Sequence, residues 1–350
     1  MTDEIILEEA DFSLSFCSAS PHGGQGSFTL PGALVEEGGY MLQETIIVPP
    51  ELADKAEVFS VRRLAPDRCN RPLVLIGHSG LPVQYAAVIA RKKGNAASVE
   101  NVGQAMKVSA EGMTLLYSAP LLSDTARSMA SMSAPFQAMR TLLSENGMRE
   151  TDIARTWLYM DDILEDYVFL NEARDAFFRE ACLPPGHFYP ASTGIEGHLA
   201  DNRPLSLEFC AFSGEKIFLR RLPSPLQNEP TSYGKLFSRA VAVQFPVNCM
   251  LFISGTAAIG KDGNSLFPGD VRSQLVSTLD IILGIIENAG GGFRDITQAI
   301  VYIKRSGDFD VCVAILKDKG FPCERSLIQV ETSVCRAELL CEIEVTVILP

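Results

Sequence analysis

Few of the residues that build metal and cofactor sites occur in this sequence. Its 350 residues hold four histidines, His22, His78, His187 and His198, none in a His-x-x-x-His or His-Glu-x-x-His spacing, so metal catalysis has no support. The nine cysteines are odd in number and scattered, without a Cys-x-x-Cys pair. That sets aside a disulfide framework and a zinc site and leaves most of them as small buried apolar residues. No Gly-x-Gly-x-x-Gly follows a strand pattern and no P-loop lysine motif occurs. Gly290, Gly291 and Gly292 lie between a helical pattern and a strand, where they read as a helix end and turn. No cofactor and no metal are expected. Runs of lysine or arginine are missing and the net charge is -13, so nucleic acid is not an expected partner. No stretch approaches the roughly 18 apolar residues of a membrane span, and the acidic start Met-Thr-Asp-Glu-Ile-Ile-Leu-Glu-Glu has no apolar core of signal-peptide length. A cytoplasmic protein without a membrane partner is expected.

The sequence does have length and hydrophobic content for about two domains, with 47% apolar residues, and a pattern written twice. The first copy runs from Met139 through Asp152-Ile-Ala-Arg-Thr-Trp-Leu-Tyr-Met and Phe188-Tyr-Pro-Ala-Ser to Leu205-Ser-Leu-Glu-Phe-Cys-Ala. The second runs from Leu279 through Asp295-Ile-Thr-Gln-Ala-Ile-Val-Tyr-Ile and Phe321-Pro-Cys-Glu-Arg to Leu340-Cys-Glu-Ile-Glu-Val. In each, an amphipathic helix ends at Asn-Gly or Ala-Gly, Asp-Ile opens a strand, a second helix follows, and a proline segment leads into the last strands. The second copy carries Arg325 just after its proline and Glu342 on the strand beyond. Ser192 is expected at the arginine's place in the first copy.

Strands, then helix, strand, helix, strand, strand predict an α+β fold: two domains, each a mixed sheet covered on one face by two helices. The expected division is 1–221 for the first domain with extra leading strands, 222–236 for a proline-rich linker, and 237–350 for a second domain carrying the active site. Arg71 to Gly77, Gln84 to Ala90 and Met113 to Ala119 read as strands leading into the first repeat's sheet.

At Leu251-Phe-Ile-Ser-Gly-Thr-Ala, Phe321-Pro-x-x-Arg325 and Cys341-Glu342-Ile-Glu344, the second domain resembles the RidA/YjgF family of small enamine/imine deaminases, a chorismate-mutase-like fold. Arg155-Thr-Trp-Leu-Tyr-Met, Phe237-Ser-Arg-Ala, Pro268-Gly-Asp-Val and Cys335-Arg-x-Glu-Leu-Leu-x-Glu-Ile-Glu344, in this order, resemble the chorismatase family over roughly residues 113 to 349. The resemblance implies Glu342 as catalytic acid and Cys335 as the pocket position associated with 3-hydroxybenzoate formation. It implies Arg325 as the arginine that grips a substrate carboxylate, and Ala257, which closes its motif, as a substrate contact. Where the family carries a tyrosine-arginine pair this chain has Tyr167-Val168, and where it carries histidine before Pro-Gly-Asp this chain has Phe267.

The implied activity acts on the enolpyruvyl ether of chorismate or a close analogue, releasing pyruvate and a hydroxybenzoate or its dihydro form. Protonating the ether's methylene carbon asks for a carboxyl with a raised pKa. Strand alternation puts Glu342 and Glu344 on one face, which on its own reads as a solvated face or a salt bridge. Cys335 is read from the residues as a pocket wall rather than a nucleophile. Arg155, inside a strand, must face water, a carboxylate or a ligand; Arg239 and Tyr233 border the domain junction; all three are expected substrate contacts, Arg155 and Arg239 as the cations that help Arg325 hold a dianion. Arg174 is carried as a further cation, although its helix points first to a solvated face. Two alternatives stand: an enamine/imine deaminase using the same arginine and glutamate, and a non-catalytic small-anion binding protein. The expected partner is a small anionic molecule; monomer and homo-oligomer are both open.

Overall fold

A computed structural model describes residues 3–19, 39–52, 70, 72–77, 83–184, 186–199 and 203–350. The order of elements builds three sheets. The first holds β1 (Asp3–Glu8), β2 (Phe12–Ala19), β3 (Tyr40–Val48), β4 (Leu73–Ile76) and β5 (Gln84–Lys92), in the order β1-β2-β5-β3-β4. The second holds β6 (Ser98–Asn101), β7 (Ala105–Ala110), β8 (Met113–Ser118), the short β9 (Leu121–Leu122), β10 (Ile153–Met160), β11 (Ala191–Glu196) and β12 (Leu205–Ser213), with α1 (Met129–Glu145) and α2 (Ile163–Glu180) in the connections flanking β10. Its order is β11-β10-β12-β8-β7-β6. The third holds β13 (Phe218–Leu222), β14 (Ala240–Gln244), β15 (Cys249–Thr256), β16 (Ile296–Ile303), β17 (Ser326–Val330) and β18 (Cys341–Leu349), with α3 (Val271–Asn288) and α4 (Phe309–Asp318), in the order β13-β14-β15-β18-β16-β17.

The two α+β units are as the α+β expectation had them. The leading strands are different: β4 and β5 join no part of the first repeat's sheet but pair within a sheet of their own. That sheet repeats the topology of the others. Each has one parallel pair at its edge, β3-β4, β10-β11 and β16-β17, and each carries a β-bulge at the same place, between Met41 and Gln43, Ile153 and Arg155, and Ile296 and Gln298. Register from that bulge makes Gln43, Arg155 and Gln298 equivalent. It pairs Ile47 with Gln84, Tyr159 with Ser206 and Tyr302 with Glu342, so Gln84 and Ser206 are the counterparts of Glu342. Glu208, opposite Trp157, is the counterpart of Glu344, opposite Ile300.

Inner faces of all three sheets share one core, to which Leu14 and Phe16, Trp157 and Phe212, and Phe252 and Ile300 belong. On the outer face of the third sheet, Leu275, Leu279, Ile282 and Ile286 of α3 recur at helical spacing and seal a second core. Phe136, Met139 and Phe177 do the same for α1 and α2 on the second sheet. Side chains from the strands' inner faces therefore point at another sheet rather than at water, which is what buries the polar residues considered next.

The expected linker is not a free connection. β13 already belongs to the third sheet, and Gln227 Nε2 donates to both Ala257 O and Ile259 O at 3.0 Å, so the proline-rich segment is strapped to β15's far end. Among the described residues no helix is long and apolar enough to cross a membrane.

Candidate active site

The site forms where β11 of the second sheet lies beside β14 and β15 of the third. Ser238 N donates to Pro190 O at 2.9 Å, Ser192 N to Ser254 Oγ at 2.8 Å, and Gly255 N to Thr193 Oγ1 at 3.0 Å. These bonds leave a pocket lined by Tyr167 and Arg174 of α2, Ser192 and Gly194 of β11, and Tyr233, Lys235, Phe237 and Arg239 of the strap and the start of β14. Gly255, Ala257, Ile259, Cys335, Arg336 and Glu342 complete it.

Glu342 and Glu344 do share a face of β18, but that face is covered by the second sheet, and both are only 5% exposed. The solvated-face expectation fails for this reason. Burial, reinforced by the neighbouring Glu344, pushes the Glu342 carboxyl up to about 8, against the opposing pull of Arg155 and Arg239. It is therefore largely protonated at neutral pH. Its room comes from Gly255, where a Cβ would lie 2.0 Å from Glu342 Oε1 and clash with it.

Two arginines face this carboxyl region without an ion pair among the described residues. Arg239, 3% exposed, donates Nε to Asn228 O at 3.1 Å and Nη2 to Tyr233 Oη at 2.8 Å. Arg174, 4% exposed, has Asn171 Oδ1 for Nη2, no partner for Nε, and the Phe237 ring 5.5 Å from its guanidinium. The expectation of a solvated face for Arg174 is overturned: Leu170, Ala173 and Phe177 are its neighbours on the buried stripe of α2. Lys235 lies 5.1 Å from the Tyr167 ring, its ammonium pKa lowered by burial and by Arg174. A buried guanidinium without a counter-ion is costly, and a ligand anion is the usual compensation.

Three expected placements change. Arg325 precedes β17 and lines a separate groove with Arg294, Lys317 and Phe321, donating Nη1 to Arg294 O at 3.0 Å and Ile296 O at 3.2 Å. It faces the first sheet, whose Ser18 Oγ donates to Arg325 O. The strand that faces Glu342 is β11, and register pairs Ser192 with Thr156 and Ser326 with Ala299; Ala191, not Ser192, is therefore the counterpart of Arg325. Arg155, 2% exposed, does not open into the pocket but is engaged by Glu344 Oε2 at 2.9 Å, Ile253 O at 3.1 Å and Thr193 Oγ1. Cys335 stands in the pocket wall as a thiol, its pKa pushed up to about 12 by burial and then by Glu342, so nucleophilic chemistry has no thiolate to draw on. Ala257 and Tyr233 are in the wall as expected. Lys235, Phe237, Gly255 and Arg336 were not foreseen as site residues; the Phe237-Ser-Arg motif and the strap's prolines were the available signals.

Residues 227–349 match the model of the Endoribonuclease L-PSP family. A 3-hydroxybenzoate synthase of Streptomyces hygroscopicus is 27% identical over 242 residues, covering 63% of this chain and 70% of that protein. A RutC family protein of Pyrococcus abyssi is 24% identical over 130 residues, 37% of this chain and 93% of its own length. A chorismatase crystal structure superposes with a TM-score of 0.70 at 18% identity, covering 97% of this chain and all of that one; this likeness is one of fold.

Proposed function

We propose, from the premise that the chain is a chorismatase-family member of the RidA/YjgF superfamily, that it is an enzyme cleaving the enolpyruvyl ether of chorismate or a close analogue. One observation carries this reading: a buried carboxyl held largely protonated, Glu342, faces a pocket holding two buried arginines that have no carboxylate partner among the described residues. In the reaction, Glu342 donates its proton to the ether's methylene carbon. The resulting oxocarbenium-like centre is captured by water or by a ring hydroxyl, and a proton of that nucleophile restores the acid. In the water route the second water proton passes to the ring oxygen as the ether C–O bond breaks, and pyruvate leaves with its new methyl group beside a dihydroxy dihydrobenzoate. In the ring-hydroxyl route the former enol carbon's bond to the ether oxygen breaks, and the ring carbon's bond to the capturing oxygen breaks to release pyruvate. The ring C–H proton lost on aromatisation balances the one taken up by the freed ether oxygen, leaving a hydroxybenzoate. Arg174 and Arg239 hold the two substrate carboxylates, with Lys235 and Arg336 adding positive charge. The second cation that Val168 does not provide is thus supplied by Arg174. Cys335 in the wall and the 3-hydroxybenzoate synthase relative favour an aromatic hydroxybenzoate as co-product, formed in the cytoplasm.

The imine-deaminase reading joined Arg325 to Glu342, and their separation onto different seams weakens it. Incubating the purified protein with chorismate should release pyruvate and no ammonia. Ammonia from 2-aminoacrylate with chorismate untouched would overturn the proposal, and silence on both substrates would favour an anion-binding protein.

A further inference from the structure

One charged pair stands outside this mechanism. Arg155 and Glu344 meet at 2.9 Å with side-chain exposures of 2% and 7%, and sealing such a pair from water carries a desolvation cost. Trp157 Nε1 holds the other oxygen of Glu344 at 3.0 Å. Arg155 in turn bonds Thr193 Oγ1, which accepts Gly255 N at 3.0 Å, and the Glu342 carboxyl rests on Gly255. Contacts therefore run from Glu344 through Arg155, Thr193 and Gly255 to Glu342.

The fold contains its own control. Gln298, the counterpart of Arg155, donates Nε2 to Cys17 O at 3.2 Å, and Cys17 on β2 is the counterpart of Ile253, since each lies opposite the equivalent residue of the next strand, Ala87 and Val345. A neutral amide is enough to join sheets at that place. Among the described residues at these equivalent positions, the ion pair occurs beside Glu342 alone.

We propose that Arg155 and Glu344 are positioning residues for the proton transfer, fixing the seat of the Glu342 carboxyl and setting the charge it faces. This rests on the reading of Glu342 as proton donor. Glu344 favours the protonated form of Glu342, whereas Arg155 from β10 and Arg239, just before β14, oppose it. The other titratable groups around it are Tyr302 of β16, Tyr167 and Arg174 of α2, Tyr233 and Lys235 of the strap, and Cys335 and Arg336 before β18.

The test is the pH profile of kcat for pyruvate release. Glu344→Gln removes the like charge and leaves Arg155 unopposed, so the alkaline limb should move to lower pH by about one unit or more. The double variant Arg155→Met/Glu344→Gln removes both charges and should bring the limb back toward its original position. An unmoved limb in Glu344→Gln, or equal displacement in single and double variants, overturns the proposal. Should Glu344→Gln not fold, Thr193→Val carries the test: kcat should fall about tenfold with KM little changed, and an unchanged kcat overturns it. Turnover surviving in Glu342→Gln would instead sink the proton-donor reading itself, which separates the two failures.

Discussion

The seam between the second and third sheets and the seam between the third and first are built alike and filled differently. In the first of these, Glu342 faces Gly194 and Thr193 across a pocket with buried arginines. In the other, Gln84 takes the place of Glu342 and Ile328 the place of Gly194, and the carboxamide closes on the strand: Nε2 donates to Ile328 O and Ile328 N to Oε1, both at 2.6 Å. Gln329 Nε2 to Ile76 O at 3.2 Å and Gln298 Nε2 to Ala87 O at 2.8 Å add further neutral links. A side chain that satisfies its neighbour's backbone closes the seam; at the Glu342 seam the buried arginines are left without an ion pair among the described residues, and a pocket stays open. The difference lies in a few side chains on a shared scaffold.

Removing the acid should break the comparison most sharply. Glu342→Gln, which makes this position resemble Gln84, should lower turnover by about 10²-fold or more, the range for losing a general acid, with modest change in KM. Next in size is the cation. Arg174→Gln should weaken substrate binding by about 1–3 kcal/mol in isothermal titration while the melting temperature holds or rises, because an uncompensated buried charge is removed with it. At the closed seam the reverse is expected. Gln84→Glu loses the donor to Ile328 O and buries a carboxyl, so urea unfolding at pH 7 should show a loss of about 1–3 kcal/mol, with kcat per folded molecule unchanged.

A smaller, pH-dependent effect is expected at Glu208, whose Oε2 has no partner among the described residues and whose carboxyl is pushed up to about 8, first by burial. Its folded-state pKa lies above the unfolded value, so the stability it permits is present at low pH and is lost as pH rises through about 8. Glu208→Gln should match the parent at pH 5 and be the more stable at pH 9 in thermal unfolding. Smallest is Arg325→Gln, for which KM should stay within about twofold of the parent, because the side chain bonds backbone carbonyls on the far seam. A tenfold rise in KM there would restore Arg325 to the site.

The second and third sheets were legible because their helices carry strong apolar periodicity and their Asp-Ile strands repeat. The first was not: its equivalence rests on strand order, a bulge and register, none of which leaves a motif in Gln43, Gln84 or Leu73. Glu342 was legible through its strand motif. Arg174 was carried as a substrate cation, but the solvated face first read for its helix was wrong, since a single helix does not tell which cationic residue faces a pocket. Arg325 was misplaced because linear spacing gives neither the one-residue register that matches it with Ala191 nor the seam its strand faces.

The three sheets also fix an arithmetic of sites. Were they supplied by three copies of one chain, Glu342, Arg325 and Gln84 could not differ by seam, since each substitution would recur at every one. Joined in one polypeptide, Ala191 can stand where Arg325 stands elsewhere, and Gln84 where Glu342 does. Asymmetry of this kind frees two seams to hold the third steady, and calorimetric titration should count one bound dianion for each 38.1 kDa chain.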